Sequence, residues 1–175
     1  CAHFDYIGCN KWKSSCYECP QKNEYPASFL IDRSKKNYQD KKLLFNSVEN
    51  LTIVPVSHWL GELVKQSFLK QYPVKVIQNG VDTDLFKPSS NIQEIKRKFD
   101  LNNEFIILGV ASNWNNRKGF QDFLRLTHHI TENEKIILVG LSKKQVASLP
   151  KNIIGFERTE NVQQLADLYS IADVF

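Results

Sequence analysis

No methionine occurs among the 175 residues, and no apolar run approaches the length of a membrane span. A chain starting at its own start codon would ordinarily carry Met or show a processing site, so the sequence reads as an internal segment. The close is equally abrupt: "NVQQLADLYSIADVF" passes from a helical pattern into Val174 and Phe175 with no turn after them. The longest apolar runs, "FIILGVA" and "IILVGL", have strand length, far below the ~20 residues that cross a bilayer, and no signal-like n-region opens the chain. A cytoplasmic protein is expected. Also lacking is a dense basic block. The net charge is +4, and the basic residues are scattered through "DRSKKNYQDKK", "KRK", "NNRKG" and "SKK". That pattern argues against nucleic-acid partners and leaves acidic small molecules or an anionic membrane surface open. Neither GxGxxG nor GxxxxGKS/T is present, which weakens dehydrogenase and NTPase readings. None of the histidines has a recognisable Cys, Ser or Asp partner, so nucleophilic catalysis has no support.

What is present is an ordinary globular composition, 42% hydrophobic and 24% charged. All four cysteines, Cys1, Cys9, Cys16 and Cys19, fall in a loop-rich segment spanning residues 1–20. The two-residue gap between Cys16 and Cys19 lets adjacent thiolates reach one metal, and a reducing compartment favours structural zinc over disulfides. Disulfide or redox pairing, an iron–sulfur cluster and unliganded thiols remain alternatives, and His3 is a further candidate ligand.

Downstream, a short helix is expected over 37–48, a buried strand at "LTIVPV", and a helix at "SHWLGELVKQSFLKQ" capped by Ser57, with Leu60, Leu63, Val64, Ser67 and Phe68 on one face. "VKVI" resumes strand character and Asn79-Gly80 supplies a turn signal, so a domain boundary is placed near Pro88. Beyond it, Asn91 and Glu94 have the spacing of a reciprocal N-cap for "IQEIKRKF". The periodicities then alternate. "FIILGVA", "KIILVG" and "NIIGF" read as strands; the helices between and after them are "KGFQDFLRLTHHI", "SKKQVASL" capped by Ser142, and "NVQQLADLYSIAD", the last burying Val162, Leu165, Ala166, Tyr169 and Ala172. Strands without polar alternation, separated by helices, predict an α/β fold with Rossmann-like parallel sheets and helices on both faces.

"NWNNRKGF" follows the first of these strands. Ligands of open parallel sheets sit beyond the carboxyl ends of the strands. There Lys118 offers a compact cation, Arg117 a planar fork for two oxygens, and Gly119 an unobstructed backbone, an arrangement suited to a phosphate or diphosphate. A solvated Arg-Lys pair beside a turn glycine is the competing reading.

Taken in order, "VPVSHWLGELVKQSFL", "VKVIQNGVDTDLFKP", "FIILGVASNWNNRKGF", "IILVG" and "NVQQLADLYSIADVF" resemble the central part of a retaining glycosyltransferase of the GT-B fold, in the large group-one family. The opening "GCNKWKSSCYECPQ" is similar to a bacterial branch of exopolysaccharide, colanic-acid-type transferases.

The resemblance implies two lobes: residues 1–88 would end an acceptor-binding lobe, and residues 89–175 would form the first half of a nucleotide-sugar-binding lobe. It implies transfer of a sugar from a nucleotide-diphosphate donor to a glycan or lipid-linked acceptor in cell-surface polysaccharide biosynthesis, with retention, no catalytic metal, and peripheral association with the inner membrane face. Lys118 matches the family's diphosphate-contacting lysine. The partner Arg that often lies about five residues earlier is replaced here by Ser112 and Asn113, so either Arg117 or Asn113 would take that role. Phe156, Glu157 and Arg158 fall where such enzymes hold the nucleobase. The family's paired glutamates would follow Phe175, and the chain alone is therefore expected to be inactive. A non-catalytic, metal-containing α/β binding module is the alternative.

Overall fold

The computed structural model describes residues 9–23 and 30–175. The chain divides into two compact units, Cys1–Gly80 and Val81–Phe175.

In the first unit, α1 (Ser34–Asn46) and α2 (His58–Lys65) are the α-helices among the described residues, and Lys11–Lys13 form a 3₁₀ turn. The Ser57 hydroxyl accepts the Leu60 N–H at 3.1 Å, the cap expected from the sequence. The cysteine-bearing loop is packed: Trp12 and Cys16 are buried with Tyr38 of α1, and Leu63 and Phe68 lie against them. The Tyr38 hydroxyl also donates to Ser14 O at 3.0 Å. The strand expected at "LTIVPV" is reduced to a parallel bridge between Ile53 and Val74, supported by Lys75 N–H to Ile53 O and Ile77 N–H to Pro55 O. Val54 and Val56 are exposed, not buried as a central strand would require. Among the described residues, only the 73–77 segment is hydrogen-bonded to this stretch through the backbone.

The second unit holds the sheet. β1 (Phe105–Val110), β2 (Glu134–Val139) and β3 (Ile153–Phe156) are parallel in the order β1-β2-β3, with Leu108 opposite Ile137 and Leu138 opposite Gly155. The runs are apolar throughout because both faces are covered. Ile106, Leu108, Ile137 and Val139 point to one face, where α3 (Ile92–Lys98) contributes Ile95 and α6 (Val162–Ile171) contributes Leu168 and Ile171. Ile136 and Leu138 point to the other, against Phe120 of α4 (Phe120–Leu126), with Phe123 and Leu124 beside it and Val146 of α5 (Lys143–Ala147) partly buried there. This is the period of two expected of strands, with neither face left to solvent.

Two local expectations are corrected. Asn91 makes no side-chain cap, and Glu94 instead reaches along its helix to within 4.0 Å of Lys98 Nζ. On α6 the buried set is Ala166, Leu168 and Ile171, while Val162 in the first turn is exposed. Segment 81–88 belongs with the second unit: Lys87 O accepts the Ser170 hydroxyl at 3.1 Å, and Phe86 meets Tyr169 edge-on at 6.0 Å.

Beyond α6 the chain returns to the far edge of β1. Val174 bridges Ile107 in parallel, and Leu108 N–H donates to Val174 O at 2.9 Å. β1 therefore lies between β2 and Val174, with the chain running to β2 and β3 on one side and coming back on the other.

Candidate phosphate-binding loop

The reversal at β1 makes its carboxyl end the topological switch point of the sheet, the place where open α/β sheets form a ligand crevice. Residues 111–119 occupy that end. Ala111 N–H extends the ladder by one bond to Val139 O, and the chain then turns outward. Ser112, Asn113, Asn115, Asn116, Arg117 and Lys118 are exposed; Trp114 alone of this run is buried.

Asn116–Lys118 form a 3₁₀ turn, with Asn115 as its cap. Lys118 N–H donates to Asn115 Oδ1 and to Asn115 O, both at 3.1 Å; Gly119 N–H donates to Asn116 O and Phe120 N–H to Asn115 O. Residues 118–120 thus spend their amides inside the turn. The unobstructed backbone expected at Gly119 therefore offers no free amide there, and at residues 118–120 recognition of an anion falls to side chains.

Gly119 is explained differently as well. Its φ is +76°, a left-handed conformation costly to residues with a Cβ, whereas a Cβ there would meet nothing nearer than Asp122 Oδ2 at 3.5 Å. Glycine serves the reversal from the 3₁₀ turn into α4.

Arg117 and Lys118 take part in no ion pair among the described residues; the adjacent pair on α4, Arg125 with Asp122 at 3.1 Å, is self-contained. Two exposed cations without acidic partners among the described residues, at the carboxyl end of β1, are available to an incoming anion. At the carboxyl end of β3, Glu157 and Arg158 are exposed, while Phe156 is half-buried, its ring 5.8 Å from Phe99 and its carbonyl taken by the N–H groups of Gly140 and Leu141. Two strand spacings separate this end from β1, about 10 Å along the same edge. Sequence reasoning passed over Trp114, Gln145 and Asn115. The Ser142-x-x-Gln145 spacing and a lone aromatic inside a polar loop were the available signals.

An apolar groove of about 540 Å³, lined by Phe86, Pro88, Leu165 and Tyr169 among others, shares no residue with this loop. Of the expected metal ligands, Cys9, Cys16 and Cys19 are free thiols, and burial pushes the Cys16 thiol up from its ordinary range. Among the described residues no three of His, Cys, Asp and Glu gather as a metal-holding group; Cys1 and His3 lie outside the described residues. No helix among them is long and apolar enough to cross a membrane.

The sheet order and the loop can be set beside known proteins. Sucrose-phosphate synthase from Thermosynechococcus elongatus superimposes with a TM-score of 0.62 at 18% identity, over 90% of this chain and 42% of that one. Anabaena HepE, solved in complex with UDP and glucose, gives 0.55 at 20% identity, over 79% and 40%. The chain shares their fold. In sequence it is 27% identical over 145 residues to alpha-galactosylglucosyldiacylglycerol synthase of Streptococcus pneumoniae (strain ATCC BAA-255 / R6), covering 75% of this chain and 38% of that protein. No protein-family model matches. The chain thus spans less than half the length of each of these relatives.

Proposed function

We propose that these residues form the donor-diphosphate site of a glycosyltransferase that uses a nucleotide-diphosphate sugar. The observation that carries the reading is the placement of the unpaired Arg117 and Lys118 at the carboxyl end of β1, where the strand order reverses. Two synthases of glycosides and a protein solved with UDP and glucose have related sequence or fold, which supports the same class of donor.

The chemistry accounts for cations at this point. Breaking the anomeric C–O bond leaves the bonding pair on the nucleoside diphosphate and oxocarbenium character on the sugar. Fixed positive charge beside the β-phosphate oxygens stabilises the departing group more than the intact donor, which is the condition for accelerating the step. Lys118 would supply a point charge and Arg117 two parallel N–H donors; Ser112 and Asn113 would add neutral hydrogen bonds where the resembled family often has a second arginine. A nucleoside diphosphate held at Lys118 would extend along the edge from β1 to β3, with its base toward Glu157 and Arg158.

Retention of configuration, an acceptor that is a glycan or lipid-linked sugar, and service in cell-surface polysaccharide assembly are the finer parts of the proposal, and they rest on the family resemblance. So does the division into an acceptor lobe and a donor lobe. The resemblance also places the paired glutamates beyond Phe175, so the isolated chain is proposed to bind donor without transferring sugar. The test is a titration of UDP and of GDP while the amide signals of residues 109–119 are followed. Saturable shifts confined to this loop and the carboxyl end of β3 are expected; no shift with either nucleotide would overturn the reading.

A further inference from the structure

We propose that Gln145 and Trp114 are positioning residues that hold the cationic loop at the crevice, coupling it to the amino end of α5. The proposal rests on the donor-site reading for its functional consequence and on the following geometry for its substance.

A loop that binds through side chains must itself be held, because past Ala111 the amides of Lys118, Gly119 and Phe120 are consumed inside the turn and do not tie it to the sheet. Two long-range bonds do the holding. The Trp114 indole Nε1–H donates to Val139 O at 2.8 Å, across to the last residue of β2. In return, the Gln145 Nε2–H donates to Trp114 O at 3.2 Å. The indole is buried against Phe120 and Phe123, the second edge-on at 5.3 Å, and its ring lies over β1 where Gly109 leaves room: a Cβ on Gly109 would come within 2.9 Å of Trp114 Cη2.

Gln145 is committed at both ends of its amide. Its Oε1 accepts from Ser142 N–H and from the Ser142 hydroxyl, each at 2.9 Å, closing the capping box of α5. Two donors at one end identify that atom as the oxygen and leave the NH₂ group for Trp114 O. A glutamate would keep the first function and abolish the second, since a carboxylate accepts from Ser142 but offers no donor to a carbonyl. Gln145→Glu therefore separates helix capping from loop tethering. Trp114→Phe retains an aromatic ring and removes the indole donor, while Val139 O keeps its bond from Ala111 N–H.

The experiment measures hydrogen exchange of the Lys118 and Gly119 amides in the 175-residue chain and in Gln145→Glu and Trp114→Phe, then titrates each with UDP. Exchange at Lys118 and Gly119 is expected to quicken by about tenfold in both variants, as the loss of one neutral hydrogen bond allows, with Val146 of α5 and its C-cap Ser148 unchanged in Gln145→Glu. UDP binding is expected to weaken by about the same factor. In combination with Lys118→Met, either variant should weaken binding by less than the product of the separate effects, since a misplaced lysine has less to lose. Unchanged exchange in the loop, or full multiplicativity with Lys118→Met, would overturn the proposal. If the unaltered chain binds neither UDP nor inorganic pyrophosphate, the donor-site reading fails, and the exchange measurement still decides whether Gln145 and Trp114 hold the loop.

Discussion

Asp173 and Ile106 exchange hydrogen bonds across the edge of the sheet: Asp173 Oδ2 accepts the Ile106 N–H at 2.8 Å, and Asp173 N–H returns to Ile106 O at 2.9 Å. Ile106 is fully buried, and in the fold its N–H is satisfied by this carboxylate. Asp173→Ala is expected to destabilise the second unit by about 1–2 kcal/mol, the cost of one orphaned backbone donor. Asp173→Asn keeps an acceptor oxygen and should recover most of that loss. Urea unfolding of the three proteins side by side checks both outcomes.

Two glycines should respond differently to alanine. At Gly119 the obstacle is the backbone angle alone, so Gly119→Ala is expected to cost about 1–2 kcal/mol and Gly119→Asn less, since asparagine tolerates the left-handed region. At Gly140, with φ +96°, a Cβ would overlap the Ala111 carbonyl oxygen, which is backbone and cannot swing aside. Gly140→Ala should cost more than about 4 kcal/mol and abolish a cooperative transition. Comparable midpoints for the two alanine variants would contradict this assignment.

Neutralising the exposed cations separates binding from folding. Lys118→Met and Arg117→Met should leave the unfolding free energy from urea titration within about 0.5 kcal/mol of the parent, because neither side chain is buried or, among the described residues, ion-paired. Both should weaken UDP binding. In a form of the enzyme that transfers sugar, Lys118→Met should slow turnover by about 3 kcal/mol in barrier, as for loss of one preorganised donor to a developing anion. Turnover at the parental rate would remove Lys118 from the mechanism.

Asp32 sets an acid limit on the cysteine loop. The Ser34 hydroxyl beside it, the Ser34 N–H at 2.8 Å and the Cys19 N–H at 2.6 Å hold its carboxyl at about 2, below the ordinary value near 3.8. The hydroxyl completes no hydrogen bond of ordinary geometry, so the two amides carry the structural link. A folded-state value below the unfolded one means that the link stabilises the fold above about pH 4 and is lost as pH falls toward 2. The Cys19 and Ser34 amide signals should move together over that window, and Asp32→Asn should remove the transition. A loop whose amide signals stay fixed from pH 5 to pH 2 would rule out this role for Asp32.

The strands were legible because their environment repeats. In β1 and β2 every residue from Ile106 to Leu108 and from Ile136 to Val139 meets an apolar layer, and a run of Ile, Leu and Val can report that without knowledge of its neighbours. Where the environment was uneven the same reasoning overreached. Val54 and Val56 have strand chemistry without a sheet around them, and Val162 has the helical spacing of the core face but sits in the exposed first turn of α6. The Asn91-Glu94 spacing satisfied the pattern of a cap, yet Glu94 lies toward Lys98 instead.

By itself the sequence determined the alternation of parallel strands and helices, and the presence of Arg117, Lys118 and Gly119 just past the first strand, since both follow from composition over a few consecutive residues. The tertiary structure decided where the strand order reverses, because that depends on Val174 returning to the opposite edge of β1. It also decided how the loop is anchored: Trp114 finds Val139 25 residues on, and Gln145 finds Trp114 31 residues back. Hydrogen bonds between residues so far apart leave no periodicity in the chain, and only folding brings their donors and acceptors within reach.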